Sequence, residues 1–292
     1  FFIQEAEADY DADPLTSEGV FVFTSSAPPA AAAVGNRVQV TATVVEFVPP
    51  ADLLQPPLTE LSSPSVSLIS VGNPLPAPIP LTTTFPDPTG NIHQLERLEG
   101  MRASLASLTV VAPTLGNVNE PNATATSSGV FYGVVTGVAR PFREAGIPAD
   151  DPPPSCCDGV TIPPVPRFDA NPERIRVDAD GLTGAALFDV DAGQVVTGLV
   201  GPLDYSFRTY SILPDPASPP VVTGTVNPTP VTAPLANEFT VSAFNLQRFF
   251  NDVDDGIGEP VLTTTAYNNR KAKASLAIRN YLRFPDVLAV VE

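Results

Sequence analysis

The chain has 292 residues, 43% of them hydrophobic, enough for two or three domains with cores of their own. Its 35 Pro and 19 Gly point to short strands and rigid loops rather than long helices. A formal net charge of −17, carried almost wholly by the front region, is a poor electrostatic grip for nucleic acid, and no apolar run approaches the roughly 20 residues that a membrane-spanning helix needs.

FFIQ (1–4) reads as the middle of a strand, and with Phe rather than Met first and a strand cut at Glu292, the chain is expected to be an internal fragment. Glu5, Glu7, Asp9, Asp11 and Asp13 alternate, so an extended backbone would set all five on one face. That face is either a place for a hard cation or a solvated edge that discourages sheet aggregation.

Strands are expected at SEGVFVFT (17–24), RVQVTATVVEF (37–47), SVSLISV (65–71) and MRASLASLTVV (101–111). The period-two spacing of Val38, Val40, Ala42 and Val44 implies a half-buried antiparallel sheet. The Pro-rich stretch 73–91 cannot be a central strand, because proline donates nothing to a ladder. His93, the one histidine, lies in a loop without a nucleophile nearby and is assigned no role.

A second block offers strands at 128–142, 173–179, 186–190, 194–207 and 209–214. Gly35 ahead of Val38, Val40 and Thr41 is echoed by Gly193 ahead of Val195, Val196 and Thr197, which suggests a repeated small β-barrel. Cys156 and Cys157 are adjacent in a Pro-rich loop and match no zinc spacing, so they read as a loop disulfide or two thiols.

Residues 238–292 hold six Lys or Arg against seven Asp or Glu, leaving 9 against 25 for residues 1–237, a net of −16. In EFTVSAFNLQRFF the inward candidates are Phe239, Val241 and Ala243, and the strand delivers Asn245 at its end. A polar loop with Asp252, Asp254, Asp255 and Glu259 follows. A helix is expected over 266–284, with Ala274, Ala277, Ile278 and Tyr281 along one face and Pro285 as its stop. DVLAVV (286–291) is the apolar, β-branched run of a strand buried on both faces, and it delivers Glu292. Ligands of open sheets gather beyond strand ends, so the amide of Asn245 and the carboxylate of Glu292 are expected to face one polar site.

SAFNLQRFF, NNRKAKASLAIRNYL and PDVLAVVE resemble the first βαβ unit of the endonuclease/exonuclease/phosphatase superfamily. Its members are divalent-metal phosphoesterases whose opening strand carries an Asn matching Asn245 and whose next strand carries a metal-binding Glu matching Glu292. DADPLTSEGVFVF, VGNRVQVTATVVEF, LERLEGMRASLASLTVV and VTGLVGPLDYSFRTYSILP look like the oligonucleotide-binding (OB) fold modules that precede the nuclease domain of large secreted bacterial nucleases.

The resemblance implies a mainly β chain: an N-terminally truncated OB-like module at 1–112, a second at 127–215, a Pro-rich linker at 216–237, and the truncated first βαβ unit of an α/β sandwich at 238–292. It implies part of a secreted, extracellular enzyme hydrolysing phosphodiester bonds of DNA or RNA, inactive as this fragment because later catalytic histidines are missing. Mg²⁺, or Mn²⁺ or Ca²⁺, would be held by Glu292, with Asn245 orienting the phosphate. Nucleic acid would meet the catalytic domain rather than the acidic front modules. There Phe131, Tyr132, Tyr205, Phe207 and Tyr210 are available to stack bases, yet the groove charge is missing and core packing accounts for these rings. Two other classes stay open: a non-enzymatic Pro-rich surface or matrix-assembly protein, and a phosphatase or nucleotidase of the same superfamily.

Overall fold

A computed structural model describes residues 1–140, 147–148, 167–168 and 171–291. Two compact units emerge, one from Phe1–Leu115 with Gly129–Gly224, the other from Gly116–Ser128 with Thr225–Glu292. The fold is mainly β, as the short alternating runs require.

In the first unit, β1 (Phe2–Gln4), β2 (Gly19–Phe23), β3 (Arg37–Phe47) and β4 (Leu58–Ser70) form a sheet in the order β1-β2-β4-β3. β4 begins at Leu58 rather than Ser65. Pro64 follows Ser63, which has a φ of 54°, and the register slips opposite Thr41 and Thr43, so the ladder absorbs the proline at a bulge. The acidic run is not extended, because Glu7–Asp9 closes a single 3-10 turn. Asp9 pairs with Arg37 at 3.0 Å and Glu7 accepts the Ala77 N–H at 2.8 Å, so these carboxylates serve local contacts and do not share a face.

The same unit continues through β5 (Ile79–Pro80) and β6 (Arg102–Ala112). The hairpin β7 (Gly116–Asn119) and β8 (Thr124–Ser127) belongs to the second unit. Then come β9 (Val130–Val135), the short parallel pair β10 (Ile147–Pro148) and β11 (Arg167–Phe168), β12 (Ile175–Asp178), β13 (Val195–Ser206), β14 (Thr209–Ile212) and β15 (Val221–Thr223). β6 pairs with β9, β9 with β12, β12 in parallel with β14, β14 with β13, and β13 back with β6. Five strands therefore close a ring. Counted along the chain they stand in the order first, second, third, fifth, fourth, which is the OB barrel.

Residues 102–112, grouped by sequence with the first module, supply this barrel's first strand. Alternation identifies a strand, while its partners, here Leu199 opposite Leu105, are chosen by closure across the chain. Leu105, Leu108, Phe131, Ile175, Val177, Leu199, Leu203 and Ile212 fill the interior and are essentially inaccessible. Tyr205 and Tyr210 pack with ring centroids 4.7 Å apart in the same core. Residues 186–190 form no strand; Phe188 instead packs edge-on against Phe131 at 5.5 Å. Gly35 and Gly193 both take positive φ (83° and 96°) just before β3 and β13, so the echo in the sequence marks equivalent places in two sheets.

In the second unit, β16 (Val241–Asn245) and β17 (Val287–Val291) pair in parallel through α1 (Thr264–Leu276), which runs on into a π turn at Ala277–Tyr281. Parallel neighbours need such a crossover. Thr263 caps α1, its hydroxyl accepting the Ala266 N–H at 3.2 Å, and Leu262 and Ala266 are buried beneath the first turn. Two expectations are corrected. β17 is not buried on both faces, since Val287, Val290 and Val291 are 52%, 54% and 55% exposed. On β16, Val241 and Ala243 face outward, as does Phe239 ahead of the strand, while Ser242 and Phe244 are half-buried. A two-stranded sheet covers only one of its faces, and period two says that faces differ without saying which is inward.

Residues 224–239 are exposed and lack regular structure. No Lys or Arg lies between Arg208 and Arg248, so trypsin is expected to spare this stretch while proteinase K makes its first cut there. Mass spectrometry of the earliest products checks this, and a first cut inside the barrel would contradict it.

Candidate functional site

Parallel pairing sets Asn245 opposite Val291, and the Leu246 N–H closes the ladder on the Val291 carbonyl at 2.7 Å. Asn245 Oδ1 accepts the Gln247 N–H at 2.7 Å, an Asx turn that carries the chain into left-handed residues at Gln247 and Arg248. The Asn245 Nδ2 remains a donor at the carboxyl end of the sheet. Arg270 of α1 donates to the carbonyls of Leu246 and Gln247 and lies 5.7 Å from the Phe249 ring centroid, which holds the turn against the helix. Arg248 pairs with Glu120 of the β7–β8 hairpin, and Lys271 lies over Tyr267.

Glu292 follows Asn245's register partner and lies outside the described residues, as do Cys156 and Cys157. Among the described residues no three His, Cys, Asp or Glu gather to hold a metal ion. The described part of this strand end offers an amide donor, not a cation cage. The Asp252–Glu259 loop is shaped by its own turns, with Asp254 accepting the Gly256 N–H at 2.9 Å.

A second group of polar residues sits in the first unit. Leu95 and Leu98 of the 3-10 segment Ile92–Leu98 are buried, and Glu99 follows them into the interior. The backbones of Gly19 and Gly100 cross so closely that a Cβ on Gly100 would stand 2.6 Å from the Val20 nitrogen. Ser17 donates to the Glu99 carbonyl at 2.6 Å. One Glu99 oxygen accepts the Thr59 N–H, and Oε2 is buried without a partner. Burial, reinforced by the Glu96 carboxylate, pushes the Glu99 carboxyl up to about 8. Glu60 and Asp204 are also raised, chiefly by burial, and Tyr210 donates to Glu96 at 2.7 Å. The signal available in the sequence was Glu99 wedged between Leu98 and Gly100, but local pattern carries no information about burial.

Of the five aromatics considered for base stacking, Phe131, Tyr205 and Tyr210 are core residues. Tyr132 is half-buried under Arg174, and Phe207 stands 77% exposed on the two-residue turn between β13 and β14. The outward side of β12 and β14 is itself covered, since Arg176, Thr209 and Ser211 are buried and Arg176 is spent on Asp178 and Ser211.

Residues 81–226 match the family described as Domain of unknown function (DUF8508), which covers half of the chain. The chain belongs to DUF8508. The DUF8508 segment contains all five strands of the closed barrel and ends next to Gly224, where the first unit ends. The matched segment thus includes the whole barrel, and the Asn245 strand end lies outside it. No curated protein and no solved structure matches the chain.

Proposed function

We propose that the chain belongs to a secreted, metal-dependent phosphodiesterase acting on nucleic acid, in which the DUF8508 barrel precedes the opening strand-helix-strand unit of an endonuclease/exonuclease/phosphatase-type domain. The observation that supports this reading is the parallel β16–β17 pair with Asn245 in register with Val291, the residue before Glu292. In this reading, the Asn245 amide donates to a non-bridging phosphate oxygen and fixes the phosphodiester at the strand ends. Glu292 would supply the negative charge that a divalent cation requires. A bound Mg²⁺ or Mn²⁺ supplies Lewis-acid stabilisation of charge on the phosphate.

The barrel acts as a scaffold rather than as the grip on substrate. Residues 1–237 carry a net −16, and the outward side of β12–β14 is covered. No helix among the described residues is long and apolar enough to cross a membrane.

The test is made in the natural protein, by plasmid degradation with Mg²⁺ or Mn²⁺ and an EDTA control. Glu292→Gln keeps the shape and removes the charge, so turnover is expected to fall on the order of a hundredfold or more while circular dichroism is unchanged. Asn245→Ala is expected to lower turnover and leave metal affinity intact. A Glu292→Gln protein that degrades DNA at the parent rate would return the chain to the surface-assembly reading.

A further inference from the structure

Independently of that catalytic reading, we propose that β1–β4 are four strands of a second five-stranded barrel, closed by a fifth strand from polypeptide on the N-terminal side of β1 that runs antiparallel between β1 and β3. The template is in the same chain. β1 and β2 are antiparallel, like β9 and β12; β2 and β4 are parallel, like β12 and β14; β4 and β3 are antiparallel, like β14 and β13. Chain order corresponds as well, so β1, β2, β3 and β4 occupy the second, third, fourth and fifth places of the closed ring. The position without a counterpart is the first, taken in the barrel by β6. That strand is antiparallel to both of its neighbours and precedes the second strand in the chain, with only the β7–β8 hairpin between them.

Packing agrees with an interior waiting for its wall. Register partners Val38–Leu68, Val40–Val66 and Val44–Leu61 set apolar residues opposite one another, as a barrel interior requires. Yet Leu68 is 50% exposed and Val44 65%, and only Val22 and Leu58 of these four strands count among the buried apolar residues. Among the described residues nothing pairs with the outer edge of β1 or of β3. An eleven-residue edge strand with apolar side chains is a pairing template that proteins ordinarily cover. The strand that fits is a period-two apolar run whose inward residues meet Ile3, Val40 and Val44.

Hydrogen exchange followed by mass spectrometry, on the 292-residue chain and on the natural full-length protein, tests this. The edge amides of β3 are expected to exchange freely in the former and at least a hundredfold more slowly in the latter. Equal β3 exchange in the two would overturn the proposal. A photo-crosslinking residue placed at Val44 of the full-length protein identifies the occupant. Capture of a segment N-terminal to Phe1 supports the proposal, whereas capture of any other segment, or of a second copy, overturns it.

Discussion

Gly201→Ala is expected to unfold the barrel in conditions where the parent is stable. Gly201 lies on β13 between two backbone hydrogen bonds, Asp215 N–H to the Val200 carbonyl at 2.8 Å and Leu213 N–H to the Pro202 carbonyl at 3.1 Å. A Cβ at this position would overlap the Leu213 carbonyl oxygen, a backbone atom that no rotamer change can move aside. Accommodating one methyl therefore requires the two segments to part, losing both bonds and opening the core beside Leu199 and Leu203. Overpacking of this kind costs about 1–3 kcal/mol when side chains can give way, and more where only backbone is in contact, on the order of 3–5 kcal/mol. Because the chain has no Trp, urea unfolding is best followed by the near-ultraviolet dichroism of the Tyr205–Tyr210 pair. An unchanged midpoint would show that β13 does not approach the 213–215 segment as described.

Glu99→Gln is expected to stabilise the protein at alkaline pH and to flatten its pH dependence. Burial first, then the carboxylates of Glu96, Asp204 and Glu46, raise the Glu99 carboxyl from its usual 4.5 to about 8, against the opposing bond from Thr59. A group raised in the folded state binds its proton more tightly there than in the unfolded chain. Its contribution to stability is fully present below about 4.5 and is lost as pH rises through about 8. A shift of this size corresponds to a few kcal/mol across that window. Glutamine stays neutral and keeps an oxygen for the Thr59 N–H, so the loss disappears, apart from a residual slope from the raised carboxyls of Glu60 and Asp204. Urea midpoints of parent and variant at pH 5, 7 and 9 check this. A variant that loses as much stability between pH 5 and 9 as its parent would contradict it.

Much of the architecture was legible along the chain. Alternation located β3 with both its ends, and it located β13 to within a residue at each end. Gly35 and Gly193 marked equivalent strand starts, and the helical spacing before Pro285 with the apolar run after it announced a strand-helix-strand unit. In the candidate site, Asn245 was recognisable because a polar residue stood where an apolar strand stopped. These are short-range signals, set by side-chain period, backbone stereochemistry and the ring of proline.

Only the tertiary structure decided which strands are neighbours. Residues 102–112 joined the barrel because closure pairs Leu105 with Leu199 and Leu108 with Val135, and no feature of 102–112 names those partners. The face of β16 that turns inward, and the exposure of β17, depended on what packs against the pair rather than on its own alternation. The raised carboxyl of Glu99 arose from its burial and from the carboxylates of Glu96, Asp204 and Glu46 brought near it, two of them far away in the chain. By itself the sequence determined the elements and the order in which they arrive, since those follow from neighbours a few residues apart; pairing, burial and charge state followed from contacts between residues far apart in the chain.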